Sequence, residues 1–316
     1  MLRFLPFALA ALLAPALAHA DDAPAQPEAQ AQATQRPLLW KVSDADNHVY
    51  LLGSFHLLKP DDYPLPAEVD RAFDDAESLL FEIDPKEMTA PETVATMQKY
   101  MAYEDGLSLS QVLPPQTLAR LGTLVSASGG SLQSLEASEP WAVNLGLVLG
   151  VTRALGFSAD LGLDRHLMMR AADAGKPAAG LETADAQMRA MDAVPHAEQV
   201  QGLEEFLADP RKAARLMVDM HRWWRSGDAD ALDREMRADM QRKTPESYRL
   251  MDVERNDAWL PRIEARLTES KTDDTLVVVG SLHLLGEDGL VEKLRAKGYR
   301  VERICDSCEA PAAQPL

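Results

Sequence analysis

The sequence predicts an α/β fold with α+β character, in which strand-helix-strand units at the two ends of the domain build one central mixed β-sheet around a large helical insertion. Two observations predict it. Short apolar runs that stop at a glycine stand near both ends of the chain, and the stretch from about Pro91 to Leu267 is mostly helical by pattern. The end units should therefore supply the sheet, and the middle should supply helices.

The first end unit begins with Val49–Leu52, an apolar run of residues that favour extended backbone. Leu65–Glu77 follows as a predicted helix, with Pro66 suited to its first turn, where no backbone donor is lost. Ser78–Asp84 then predicts a further strand. The order is strand, helix, strand.

The second end unit repeats that order. Leu276–Val279 predicts a buried strand, and Gly286–Lys297 predicts a helix that stops at Gly298. Tyr299–Ile304 alternates apolar with polar residues, which indicates a half-buried strand nearer an edge of the sheet. Within the helical middle, only Ala178–Leu181 suggests a short strand.

The chain outside the domain divides into three predicted segments. Residues 1–20 carry Arg3, an apolar run and Ala18-His19-Ala20, which predicts an export signal cut after Ala20. Residues 21–36 are rich in Ala, Gln and Pro and predict a disordered linker, and residues 311–316 predict a flexible tail. The domain should span residues 37–310, and the mature chain should have no transmembrane segment and be periplasmic or secreted.

The net charge of −18 is spread along the chain, which argues against nucleic acid as a partner. The two cysteines, Cys305 and Cys308, form a Cys-x-x-Cys pair, and a local disulfide is the first interpretation for an exported chain. A redox-active pair should open a helix after a strand, and a zinc site would need two further ligands nearby. Neither alternative has that support.

The two end units carry the same motif. Gly53-Ser54-Phe55-His56 and Gly280-Ser281-Leu282-His283 each follow a predicted strand, and each is followed by two leucines. One histidine after a strand is most often a packed or capping residue. Two histidines at the same offset from two equivalent strands converge if the strands are neighbours, and a divalent metal needs such converging ligands. The duplication therefore predicts one shared site.

Three further residues have both a functional and an ordinary interpretation. Glu82 could complete a set of two histidines and one carboxylate, or it could be a solvated strand residue. Glu182 stands where a helix begins, and there a carboxylate commonly complements the helix dipole. Arg255 could form a surface ion pair, or it could stabilise negative charge on a substrate.

The chain resembles the TraB/PrgY/GumN family, which includes the Tiki metalloproteases. The resemblance covers essentially the whole mature domain. It rests on the order of several short segments, which are the first Gly-Ser-x-His motif, Phe81-Glu82-Ile83, Gly162-Leu163-Asp164 with Gly175-Lys176-Pro177, Gly180-Leu181-Glu182-Thr183, the Trp224 to Asp228 segment, Glu254-Arg255-Asn256 with Trp259, and the second Gly-Ser-x-His motif. Each segment is weak alone, and their order is specific.

This resemblance implies a fold similar to that of erythromycin esterases and haem-binding ChaN-like proteins. It also implies a divalent metal, of manganese or cobalt type with zinc or iron as further options, held by His56, His283 and a glutamate. Either Glu82 or Glu182 could be that glutamate; we assign Glu82 to the metal and Glu182 with Arg255 to catalysis. The implied activity is hydrolysis of a peptide or small-molecule substrate. The alternative is a non-catalytic protein that sequesters a peptide or haem.

Overall fold

The computed structural model describes residues 35–88, 90–104 and 106–308. The predicted export signal, the tail and all of the linker except Gln35 and Arg36 lie outside these residues. Gln35 donates a side-chain hydrogen bond to the carbonyl oxygen of Asp62, and the Arg36 amide donates to that of Arg225. The chain therefore contacts the domain from residue 35 onward.

Six strands in the described part of the chain form one sheet. They are β1 (Leu39–Ser43), β2 (His48–Ser54), β3 (Ser78–Ile83), β4 (Ala178–Glu182), β5 (Thr275–Gly280) and β6 (Arg300–Arg303). Their order across the sheet is β4-β3-β5-β2-β1-β6. The four strands from β4 to β2 are mutually parallel, whereas β1 pairs antiparallel with β2 and β6. The mixed sheet confirms the predicted class.

Helices make up most of the rest of the described chain. The α-helices are α1 (Ala67–Asp75), α2 (Pro85–Met88), α3 (Pro91–Tyr100), α4 (Leu109–Val112), α5 (Pro115–Ala127), α6 (Pro140–Ala154), α7 (Leu163–Ala174), α8 (Ala184–Asp192), α9 (His196–Ala208), α10 (Pro210–Ser226), α11 (Ala229–Leu232), α12 (Ala238–Lys243), α13 (Pro245–Tyr248), α14 (Glu254–Thr268) and α15 (Leu290–Ala296). Short 3-10 helices span Pro60–Asp62, Leu132–Leu135, Ala159–Leu161 and Ser281–Leu284. Two π-helical turns span Asp233–Arg237 and Arg249–Val253. The helical middle is as predicted.

The structure differs from the sequence prediction at three elements. Strand β1 was not predicted, because its run is short, contains Lys41 and gains its strand form by pairing on both sides. Pro66 lies just before α1 rather than in its first turn. Helix α15 begins four residues later than expected, since Gly286 has a φ of +71°, outside the helical region.

The strands of each end unit are not neighbours. β5 lies between β2 and β3, so the first strand of the second end unit lies between the two strands of the first end unit. This arrangement buries β5 on both sides, and Leu276 to Val279 are fully inaccessible to solvent. Trp259 of α14 and Phe81 of β3 are among the largest wholly buried side chains of the same core. Trp259 therefore anchors α14 in the core.

A smaller apolar cluster lies within the helical insertion. It joins α4, α5, α6 and α9 and is formed by Leu109, Leu113, Leu121, Val143 and Leu203. In the described part of the chain, none of the helices is both long enough and apolar enough to cross a membrane.

Candidate active site

The two Gly-Ser-x-His segments leave the same edge of the sheet side by side. β2 and β5 are parallel neighbours, and their register pairs Ser54 with Gly280, one residue away from a pairing of equivalent motif positions. The Ser281 hydroxyl donates to the Ser54 carbonyl oxygen over 2.8 Å, which ties the second segment to the first. Both segments therefore occupy the carboxyl ends of parallel strands, where α/β proteins gather ligands.

Gly280 is the point at which the predicted metal-binding residues meet. A methyl group placed on it would lie 3.2 Å from Glu82 Oε1, 3.3 Å from His56 Nε2 and 3.6 Å from His283 Cδ2. Glu82 Oε1 also accepts a 2.6 Å hydrogen bond from the Gly280 amide. The three side chains thus surround the backbone of one glycine, which leaves space that a side chain would fill.

His56 is held from one side by a carboxylate. Its Nδ1 lies 2.7 Å from Asp164 Oδ2, and the Ser54 hydroxyl donates to the other oxygen of Asp164 over 2.6 Å. The His56 side chain is 61% exposed. The negative charge of Asp164 raises the pKa of His56 to about 9. Since Nδ1 faces Asp164, Nε2 faces Gly280.

Asp164 reaches His56 because two backbone segments lie unusually close. The Leu163 amide donates to the Phe55 carbonyl oxygen over 3.1 Å, and a methyl group on Gly162 would stand 2.2 Å from the His56 carbonyl oxygen. Only glycine can occupy position 162 at this distance. Asp164 is in the first turn of α7, and it is a site residue that sequence reasoning did not identify.

His283 lies in the opposite environment. Its side chain is 9% exposed, and its ring centroid is 4.5 Å from that of Trp259. Its Nδ1 lies 2.9 Å from Asn256 Oδ1, so Nδ1 carries the proton and Nε2 is free to accept. Burial lowers the pKa of His283 to about 3, which keeps the imidazole neutral.

Arg255 connects the two glutamates and the buried histidine. Its Nη2 donates to Glu82 Oε2 over 2.7 Å and to Glu182 Oε1 over 2.6 Å, and its Nη1 lies 3.1 Å from His283 Nε2. Burial raises the pKa of Glu82, but Arg255 and the histidines outweigh it and hold that pKa well below its usual range. Burial instead dominates at Glu182 and raises its pKa. Glu82, Glu182 and Arg255 thus form one buried ionic group.

One face of α14 and the π-helical turn before it supplies most of the buried half of the site. Asp252, Arg255, Asn256 and Trp259 follow the spacing i, i+3, i+4 and i+7, and all four are buried. Burial raises the pKa of Asp252 to about 7, and its carboxylate lies 3.8 Å from His283 Nδ1. Sequence reasoning missed Asp252 and the role of Asn256. Polar residues at core spacing on one helix face were the available signal.

His56, Glu82 and His283 are residue types that divalent cations accept as ligands. Both histidines have Nδ1 bound to an oxygen partner, which fixes the orientation of the ring, whereas Nε2 of His283 is occupied by Arg255. Because Arg255 donates to His283 Nε2, a cation and this hydrogen bond compete for one lone pair.

The predicted cysteine pair does not join this site. Cys305 and Cys308 are disulfide-bonded with a Cα to Cα distance of 5.3 Å, in the segment that follows edge strand β6. The Asp306 amide between them donates to Glu68 Oε1 over 2.8 Å, which ties the segment to α1.

Comparison with known proteins finds one family and two relatives that match most of the chain. Residues 38–303 match the model of the TraB/PrgY/gumN family. The chain is similar to the uncharacterized protein YbaP of Escherichia coli K12, with 28% identity over 254 residues that cover 79% of this chain and 89% of the relative. The YbaP protein of Shigella flexneri matches to the same extent. No solved structure matches. The chain therefore belongs to the TraB/PrgY/gumN family.

Proposed function

We propose that the protein is an exported, divalent-metal-dependent hydrolase that acts on peptides or small molecules. The convergence of His56, Glu82 and His283 around Gly280 carries this proposal, since His56 Nε2 faces the glycine and His283 Nε2 would become a ligand by exchanging its hydrogen bond from Arg255 for the ion. These three residues would hold the ion. A metal of manganese or cobalt type suits histidine nitrogen with carboxylate oxygen, and zinc or iron fits the same donors.

A bound metal would supply an activated water and a Lewis acid for the substrate carbonyl. The protein itself contributes charged side chains that are held in fixed positions. Arg255 is the positive group beside the three ligands, and a guanidinium in a buried site stabilises negative charge that develops on a substrate oxygen. Glu182 accepts from both Nε and Nη2 of Arg255 and so holds it in position.

Substrate access is compatible with this assignment. His56 is exposed, whereas Glu82, Glu182 and His283 are nearly buried, so a substrate would approach from the side of His56 and meet Arg255 last. This asymmetry supports a site that excludes most water and remains open at one side. The open side favours a site that binds a substrate over a purely structural role.

The proposed location is the periplasm or the exterior of the cell. Residues 1–20 have the pattern of a cleaved signal, and a disulfide between Cys305 and Cys308 suits an oxidising compartment. Mass spectrometry of the exported protein should find a chain that begins at Asp21. A chain retaining Met1 in the cytoplasm would contradict the proposed location.

The test of activity is cleavage of a peptide library by purified protein supplied with Mn²⁺ or Co²⁺. We expect cleavage by the wild type, and its loss together with metal binding in the His56→Ala/His283→Ala variant. His196→Ala is the matched control, because His196 bonds Glu139 within the helical insertion. This control should retain both properties.

Two outcomes would contradict hydrolysis. Metal binding that is unchanged in the double variant would show that His56 and His283 are not the ligands. Peptides bound tightly but recovered intact would replace hydrolysis with sequestration, the alternative that the family resemblance leaves open.

A further inference from the structure

A second cluster of metal-ligating residues lies at the opposite edge of the sheet. His48 opens β2, Asp274 directly precedes β5, and Asp75 ends α1. His48 Nε2 lies 2.8 Å from Asp274 Oδ2 and 3.0 Å from Asp75 Oδ2. Within the described residues, these three form the group of His, Cys, Asp or Glu whose ligand atoms all lie within 4.8 Å of one another.

The single N–H donor of His48 Nε2 does not match the number of oxygen atoms around it. His48 Nε2 faces a third oxygen, the Tyr50 hydroxyl, over 3.1 Å, and one N–H cannot donate well to three oxygens. The Tyr50 hydroxyl already donates to Asp75 Oδ2 over 2.6 Å. The nearby cation Lys41 stands over the Tyr50 ring, 5.6 Å from its centroid. Two carboxylates thus point at one imidazole nitrogen.

We propose that His48, Asp75 and Asp274 bind a divalent transition-metal ion of the zinc class. One imidazole nitrogen and two carboxylate oxygens are ligands that Zn²⁺ accepts, and two carboxylate charges balance the ion. Neighbouring hydrogen bonds hold the ligands in place, because Asp274 Oδ1 accepts the His48 amide over 2.8 Å and Asp75 Oδ2 itself accepts the Tyr50 hydroxyl. Asp75 is 51% exposed, which leaves the ion open to water.

This site is separate from the proposed active site. β2 spans His48–Ser54, and six steps of about 3.3 Å place the two ends roughly 20 Å apart. An ion here cannot share a substrate with His56. It would join the end of α1 to the starts of two central parallel strands, so its effect is to stabilise the sheet.

The experiment measures Zn²⁺ binding by calorimetry in protein stripped of metal, using the His56→Ala/His283→Ala background. We expect this background to bind one equivalent of Zn²⁺ and to melt at a higher temperature with Zn²⁺ than without it. Asp75→Asn should weaken this binding by at least about tenfold, as expected for a lost ligand. Its exposure and its retained acceptor for Tyr50 should let the variant fold.

Asp74→Asn is the matched control, because Asp74 is the exposed neighbour on the same helix. It should bind Zn²⁺ as the background does. A background that binds no Zn²⁺, or one whose binding is unaffected by Asp75→Asn, would overturn the second site. Loss of a single equivalent between wild type and background, with none remaining, would overturn it while leaving the proposed active site intact.

Discussion

The two Gly-Ser-x-His segments share a pattern, yet they place their imidazoles in opposite surroundings. His56 is largely exposed and faces a carboxylate, which raises its pKa to about 9, whereas His283 is buried against an amide and an indole, and its pKa falls to about 3. The same four-residue motif therefore sets the position of a histidine but not its charge. The residues that pack around each segment set the charge.

The difference begins where the chain leaves the strands. After β5, Ser281–Leu284 forms a 3-10 turn that directs His283 under α14. After β2, the chain bends at His56 and Leu57 and then pairs Leu58 with Ser158, so His56 meets the start of α7 instead. One half of the site is therefore built by a core helix, and the other by a loop at the surface.

The largest expected effect is on the free energy of unfolding, and it should differ between the buried half and the exposed half of the site. Arg255→Met leaves Glu82 and Glu182 buried without their cation, and breaking a buried ionic group costs about 3–5 kcal/mol. His56→Ala removes an exposed side chain and should change the free energy of unfolding by only about 0.5 kcal/mol. Urea denaturation in chelator measures both. Equal losses of unfolding free energy in the two variants would contradict this difference between the two halves.

The next effect concerns the partner of the exposed histidine. Asp164→Asn removes the charge that orients His56, and loss of such a partner weakens metal binding about 10- to 100-fold. The matched control is Asp160→Asn, because Asp160 is exposed on the same segment and pairs with Arg165. Calorimetric titration with Mn²⁺ should leave the control unchanged. Identical affinities for the two variants would assign Asp164 to helix capping alone.

Gly280→Ala acts on both halves at once. The glycine has a φ of −52° and a ψ of 137°, which alanine adopts without strain, so the effect comes from the added methyl group. That group would stand 3.2 Å from Glu82 Oε1 and 3.3 Å from His56 Nε2, and we expect roughly tenfold weaker metal binding, within the 1–3 kcal/mol typical of overpacking. Wild-type affinity in a folded variant would place the metal elsewhere.

The smallest expected effect is the pH dependence of the two histidines and of the stability that His56 adds. In chelator, NMR titration should give His56 a pKa of about 9, and His283 should stay neutral down to about pH 3. Since the folded pKa of His56 exceeds its ordinary value of 6.5, the stability it adds is complete below pH 6.5 and is lost as the pH rises through about 9. Asp164→Asn should abolish this loss. Matching titrations of the two histidines would refute the comparison.

Most residues of the candidate site could be predicted from the sequence, because residue types that are common in active sites follow or end the predicted strands or belong to the segments of the family resemblance. The duplicated motif predicted two converging histidines, and the structure places Glu82, Glu182 and Arg255 beside them. Asp164 and Asn256 were not accessible in the same way. Their roles depend on which backbone lies near each Nδ1, and that distance is set by contacts between segments far apart in the chain.

The sequence by itself determined the class of the fold, the end units and the helical middle, because apolar periodicity reports local backbone form. It did not determine that β5 lies between β2 and β3, nor that the two motifs are one residue out of register. Those features decide which histidine is buried. Burial and partner charge are properties of the packed chain, so only the tertiary structure could give two identical motifs different protonation states.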